Sequence, residues 1–146
     1  MVQEVPQLTD QVAKAIVNAA FRVHTQLGPG LLESVYETCL VHELSRHGFQ
    51  VQRQLLLPIR YDGIQIDAGL KLDLFVNQSV IVELKAVEKL LPIHEAQLLT
   101  YLKLADCRLG LLINFNVVLI KDGIRRLVRS PPETSAIEPR QGPLST

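Results

Sequence analysis

The sequence predicts a mixed α/β fold, with helices packed on a central mixed sheet. Three observations carry that expectation. Apolar residues recur three or four apart through the first third of the chain, the period changes to two from Phe49, and a helical stretch after Pro92 separates a hairpin from a buried apolar strand. A hairpin is antiparallel, whereas a helical crossover into a further strand produces a parallel neighbour, so a sheet containing both is mixed.

The elements follow in order. Residues 1–8 read as a short extended lead-in. Thr9 or Asp10 is expected to cap a helix that runs to about Gln26, with Val12, Ala15, Ile16, Ala19, Val23 and Leu27 on its buried face. Leu27-Gly28-Pro29-Gly30 then breaks it. A second helix is expected from about Leu32 to a stop at Gly48, with Val35, Tyr36, Cys39, Leu40 and Leu44 as its apolar stripe. Glu33 falls in its first turn, where an acid complements the helix dipole. Alternation from Phe49 to Arg60 marks a strand, Tyr61-Asp62-Gly63 a turn, and Ile64-Gln65-Ile66 a short strand. Leu72 to Val76 and Ser79 to Lys85 then form a hairpin around Asn77-Gln78, both arms rich in apolar and β-branched residues. Pro92 suits the first position of a third helix, whose Ala96, Leu98, Leu99, Leu102 and Leu104 read as core. The apolar run from Leu109 to Phe115 is a buried strand. Val117 to Ile120 and Ile124 to Val128 are expected to close a final hairpin on an Asp122-Gly123 turn. One domain over residues 1–129 is expected, followed by a Pro-rich tail, residues 130–146, with little to pack and therefore flexible.

Composition bounds the function. The chain has 146 residues, 47% of them apolar, and a formal net charge of zero. That is enough for one core. It gives no global electrostatic argument for nucleic-acid binding, so a phosphate-binding role needs a local patch or a metal. Cys39 and Cys107 match neither zinc nor disulfide spacing and read as free thiols in a reducing compartment. No signal peptide and no apolar stretch of membrane-spanning length stands in the sequence, and a cytoplasmic protein is expected. Gly28-Pro29-Gly30 lacks the Lys-Ser/Thr of a phosphate loop, His24, His42, His47 and His94 form no ligand pair, and no Ser or Cys stands in a nucleophile motif.

The chemistry lies in the central hairpin. Asp73, Glu83 and Lys85 interrupt runs that otherwise read as buried strand. Glu83 and Lys85 are two apart and leave the same face of their arm, and Asp73 on the partner arm can face them. Two carboxylates and an ammonium in an apolar sheet cost free energy unless they pair or coordinate something. Mg²⁺ takes one or two carboxylates with waters and substrate phosphate, so Asp73 and Glu83, with the backbone carbonyl of Leu84, could hold it. Lys85 beside it could orient a water and stabilise a phosphate. A cross-strand salt bridge of Lys85 with Asp73 or Glu83 is the competing reading of the same residues.

Three motifs in sequence order add context. Gly30-Leu31-Leu32-Glu33-Ser34-Val35-Tyr36 has the form G-x-x-E-x-x-Y, the hairpin carries Asp73 with Glu83-Leu84-Lys85, and Gln97-Leu98-Leu99-Thr100-Tyr101 puts Gln and Tyr on one helical face. Together they resemble the GxxExxY family of the PD-(D/E)XK nuclease superfamily, with a Gln/Tyr element similar to that of its RecB-like nucleases, over roughly residues 10–129. The resemblance implies a restriction-endonuclease-like αβββαβ core and a divalent-metal-dependent nuclease acting on DNA or RNA with Mg²⁺ or Mn²⁺. It further implies that Asp73 and Glu83 are metal ligands, that Glu33 assists metal or water, that Lys85 is the catalytic lysine, and that Gln97 and Tyr101 hold substrate. Gly30 and Tyr36 would shape the turn and pack the helix. A nuclease-fold domain with a weak or silent site, kept for binding or assembly, is the alternative. Nucleic acid is the expected partner, no membrane is involved, and a homo-oligomer is compatible with the sequence.

Overall fold

A computed structural model describes residues 5–130. Its elements run α1 (Gln7–Leu27), α2 (Glu33–Arg46), β1 (Val51–Tyr61), β2 (Ile64–Val76), β3 (Val80–Lys85), α3 (Pro92–Leu104), β4 (Leu109–Asn114), a short 3-10 turn (Ile120–Gly123) and β5 (Ile124–Val128). The five strands form one sheet in the order β1-β2-β3-β4-β5. β3 and β4 pair in parallel, because α3 carries the chain back across the sheet; the other neighbours are antiparallel. The fold is therefore the mixed sheet with packed helices that the pattern predicts, and it is consistent with a restriction-endonuclease-like core.

Alternation in β3 gives the sheet two covered faces. Val80, Val82 and Leu84 join a core with Ile16, Ala20 and Val23 of α1 and Tyr36, Leu40 and Leu44 of α2. Ile81, between them, belongs to a second core with Leu98 and Leu102 of α3. Residues adjacent in a strand point to opposite faces, so α1 and α2 cover one face and α3 the other. Gly110 lets α3 sit close, since a Cβ there would lie 2.9 Å from Leu98 Cδ1.

The turns follow their residues. Asp62 and Gly63 are left-handed (φ 51° and 81°), as a two-residue hairpin with right-handed strand twist requires. Asn77 and Gln78 are left-handed as well (φ 50° and 51°), and Asn77 exchanges hydrogen bonds with Gln50 through its backbone N–H and its Oδ1, both 2.8 Å. Gly48, at φ 89°, ends α2 as expected.

Several expected boundaries move. α1 begins at Gln7, and neither Thr9 nor Asp10 caps it; Pro6 lies at the N-cap, and its carbonyl accepts the Asp10 N–H at 3.0 Å. Asp10 instead sits in the first turn, where it meets Lys14 at 3.6 Å and Arg126 at 2.9 Å. Residues 64–66 are not a separate strand: β2 is continuous for 13 residues because it has a long partner in β1, whose register shifts only between Leu57 and Ile59, around Pro58. In α2 the buried positions are Tyr36, Glu37, Leu40 and Leu44; Cys39 packs partly buried against the core as expected, whereas Val35 is exposed and the carboxylate of Glu37 is buried instead.

The final hairpin is also built differently. β5 pairs with β4, not with residues 117–120, and the segment before it is a 3-10 turn. Neither Asp122 nor Gly123 is left-handed, so the Asp-Gly pair makes no primed turn. Gly123 is needed for room, because a Cβ there would overlap the carbonyl oxygen of Asn114. The expected flexible tail lies, from residue 131 onward, outside the described residues.

Candidate active site

Asp73 and Glu83 stand on facing positions of β2 and β3. Leu74 pairs with Val82 and Val76 with Val80, and the same register carries Asp73 opposite Glu83. Each acid binds the other's strand: the Asp73 N–H donates to Glu83 Oε2 at 3.0 Å, and the Leu84 N–H donates to Asp73 Oδ2 at 2.8 Å. Side chains thus replace backbone bonds at this rung, which holds both carboxylates at the sheet end where β3 stops.

The same rung marks a change of face. In β2, Leu70 and Leu72 pack into the α3 side, whereas Leu74 and Val76 pack into the α1 and α2 side, although all four have the same parity. In β1, Val51 packs on the α1 and α2 side and Leu55 and Leu57 on the α3 side. The switch falls at Gln54, whose φ is 47°, and Gln54 stands opposite Asp73 in the register. A regular strand would give Asp73 one face only. Here the strands turn over at Asp73, so groups from both helical layers reach it.

From the α2 side comes Glu33, the first residue of the helix. Its pKa is raised by burial, then by the charge of Asp73, against a lowering by Lys85. Tyr36 secures the approach to this helix. Its hydroxyl donates to Gly28 O at 2.6 Å and accepts the Leu31 N–H at 3.1 Å, while its ring stacks on Phe115 at 4.6 Å. The G-x-x-E-x-x-Y spacing is thus a turn held by its own tyrosine one turn from the acid. From the other side comes Tyr101 of α3, whose phenol is pushed up by burial and then by the charges of Glu83 and Asp73. Gln97, one turn earlier on α3, is exposed and makes no hydrogen bond with any described residue. The structure therefore brings Glu33, Asp73, Glu83, Lys85 and Tyr101 into one electrostatic neighbourhood, and Gln97 enters none of these interactions.

Glu83 is 5% exposed, and burial together with the charge of Asp73 pushes its carboxyl up to about 8. Burial likewise raises Asp73, opposed by its hydrogen bond from Leu84. Lys85 lowers all three carboxyls but, among the described residues, forms a salt bridge with none of them. The competing salt-bridge reading of the hairpin does not hold. A buried acid beside a half-buried one is thus left without an ion pair among the described residues.

Among the described residues no three His, Cys, Asp or Glu side chains are gathered as a ready-made metal cage. The donors at the rung are carboxylate oxygens without thiol or imidazole, which suits a hard cation. Mg²⁺ needs only one or two carboxylates, its remaining positions being filled by water and phosphate. The residues present fit such an ion.

Two residues of this neighbourhood escape sequence reading. Glu37, 7% exposed on α2, accepts from Gln54 and Arg53. It sits one turn after Glu33, and a charged residue interrupting the apolar stripe was the available signal. Asn114, 1% exposed, faces Lys85 in the register and exchanges hydrogen bonds with Val87 at 3.0 and 2.9 Å. It fixes the chain as it leaves Lys85. Its signal was a lone amide ending an apolar strand.

Among the described residues no helix is long and apolar enough to cross a membrane. No curated protein and no solved structure gives a significant match to this chain. A family model described as the PD-(D/E)XK nuclease superfamily matches residues 10–127, a span that opens within α1, holds every element from α2 to β4 and closes in β5. Order of elements, mixed sheet and acid-bearing rung all lie inside that match, and the chain belongs to the PD-(D/E)XK nuclease superfamily.

Proposed function

We propose that this chain is a divalent-metal-dependent nuclease of the GxxExxY kind that hydrolyses phosphodiester bonds of DNA or RNA. The superfamily supports a nuclease-type function on a nucleic-acid substrate. One observation carries the finer reading: Asp73 and Glu83 are locked together on a buried rung, with raised carboxyl pKa values and a lysine alongside that pairs with neither.

Asp73 and Glu83 would hold Mg²⁺ or Mn²⁺, with the Leu84 carbonyl and Glu33 as further oxygen donors. The ion would supply charge neutralisation on the scissile phosphate and activation of the attacking water. Glu33, whose carboxyl is raised by partial burial and by the charge of Asp73, is placed to orient that water. Lys85, which forms no salt bridge among the described residues, would offer its ammonium to a phosphate oxygen, where added negative charge in the transition state strengthens the contact. Tyr101 presents a protonated phenol that can donate to the substrate backbone, and Gln97 offers an exposed amide one turn away.

The test is cleavage of single- and double-stranded DNA and RNA with Mg²⁺ or Mn²⁺. Asp73→Ala and Lys85→Ala should each lower the rate by about a hundredfold or more, the scale for losing one positioned charge-stabilising group. Activity that survives both substitutions removes these residues from the mechanism. A chain that neither cleaves nor binds a divalent ion is a nuclease fold without the chemistry.

A further inference from the structure

We infer that Glu37 and Gln54 form a positioning pair that fixes the carboxylate of Asp73 from the side opposite β3; the inference rests on the metal-site reading above.

The contacts form a short chain. The Gln54 amide nitrogen donates to Glu37 Oε1 at 2.8 Å and reaches Asp73 Oδ1 at 3.4 Å. An amide nitrogen carries two donors, so one is available to each carboxylate. Asp73 Oδ2 is held by the Leu84 N–H at 2.8 Å. Both oxygens of Asp73 are therefore aimed, one by β3 and one by Gln54. Glu37 is itself held: its Oε2 accepts from Arg53 Nε at 3.1 Å, and the same guanidinium donates to Thr38 Oγ1 at 3.2 Å.

Two features separate this from an ordinary buried ion pair. Gln54 adopts φ 47°, a left-handed conformation that a residue with a Cβ takes at a cost. That conformation falls at the rung where β1 changes face, and it is what lets Gln54 meet both α2 and Asp73. An Arg53–Glu37 pair alone needs none of it. The second feature is the choice of an amide. Glu37 and Asp73 repel each other, and the charge of Glu37 raises the carboxyl of Asp73. Gln54, standing between them, gives each acid a donor without adding charge. Partners that orient a ligating carboxylate typically contribute about ten- to a hundredfold in metal affinity.

Calorimetric titration of the full-length protein with Mn²⁺, paired with thermal unfolding in chelator, tests the pair. Gln54→Gly removes the amide and relieves the left-handed backbone. It should leave the melting temperature equal or higher while weakening Mn²⁺ about tenfold or more. Glu37→Gln keeps an acceptor for Gln54 and should stay within about threefold of wild type, whereas Glu37→Leu should match Gln54→Gly; where Glu37→Leu does not fold, Gln54→Gly carries the test. Asp73→Asn should abolish binding. If wild type binds Mn²⁺ through Asp73 but Gln54→Gly binds equally well, the pair is structural only and the inference is overturned while the metal site stands. If wild type takes up no Mn²⁺, or Asp73→Asn binds as well as wild type, the metal site itself fails and the pair has no ligand to position.

Discussion

At the scale of single residues, the buried acids make stability depend on pH in a definite direction. The Glu83 carboxyl has an ordinary value of 4.5 and is pushed up to about 8 in the fold. Between those values the folded chain keeps a proton that the unfolded chain has released. Stability from this group is fully present below the unfolded value and is lost as pH rises through the folded one. Asp73 and Glu33 are raised too and work in the same sense, whereas Glu43, lowered chiefly by its hydrogen bond from Arg22, works oppositely and at lower pH. In chelator, the melting temperature should therefore fall between pH 5 and pH 8, by about several degrees. Glu83→Gln should flatten the profile, and Mg²⁺ should raise the melting temperature of wild type more at pH 8 than at pH 5. Differential scanning calorimetry across that range checks all three, and a profile that is flat or rising in wild type contradicts the burial of these acids.

At the scale of elements, the sheet is shaped by where side chains cannot be. Gly123 sits against the Asn114 carbonyl, and the turn it closes brings β5 alongside β4. Gly123→Ala forces that carbonyl away and should destabilise by about 2 kcal/mol, within the range for overpacking a fitted site. Because Asn114 also holds Val87 and stands beside Lys85, the loss should reach the site. Denaturant unfolding and the cleavage rate measured on the same variant should fall together. An unchanged midpoint would mean that β4 yields more readily than a paired central strand should. Motifs on helix ends were readable because they are local: Tyr36 closes on Gly28 and Leu31 within eight residues. The last hairpin was misread because an Asp-Gly turn and a glycine required by packing look the same in sequence. Only the neighbour, Asn114, tells them apart.

At the scale of the whole molecule, the zero net charge is spent internally. Arg22, Arg53, Arg125, Arg126 and Arg129 pair with Glu43, Glu37, Glu95, Asp10 and Asp106. With these five guanidiniums neutralised by acids, substrate affinity should come mainly from the site itself. Binding of nucleic acid to an uncleaving Lys85→Ala variant, followed by fluorescence anisotropy against KCl, should give a shallow salt dependence, with a log–log slope of about −1 to −3 rather than the −6 or steeper of proteins that track many phosphates. A steep slope would reveal a phosphate-binding surface that the pairing pattern does not suggest.

The sequence by itself determined the class of fold, the two leading helices, the acid-bearing hairpin, the third helix and the buried strand after it, and the presence of acids and a lysine on that hairpin. These follow from periodicity and spacing, which act over a few residues and survive in almost any packing. It left open whether Lys85 would pair with those acids or stand free beside them. The tertiary structure decided that, and it also decided that β1 and β2 turn over together at Gln54 and Asp73, that Glu37 is buried against them, and that Glu33 and Tyr101 reach the rung from opposite layers. The physical reason is distance along the chain. A residue's face in a sheet is set by local alternation until a partner strand and a helix 16 to 19 positions away supply contacts worth breaking it, and no local pattern records them.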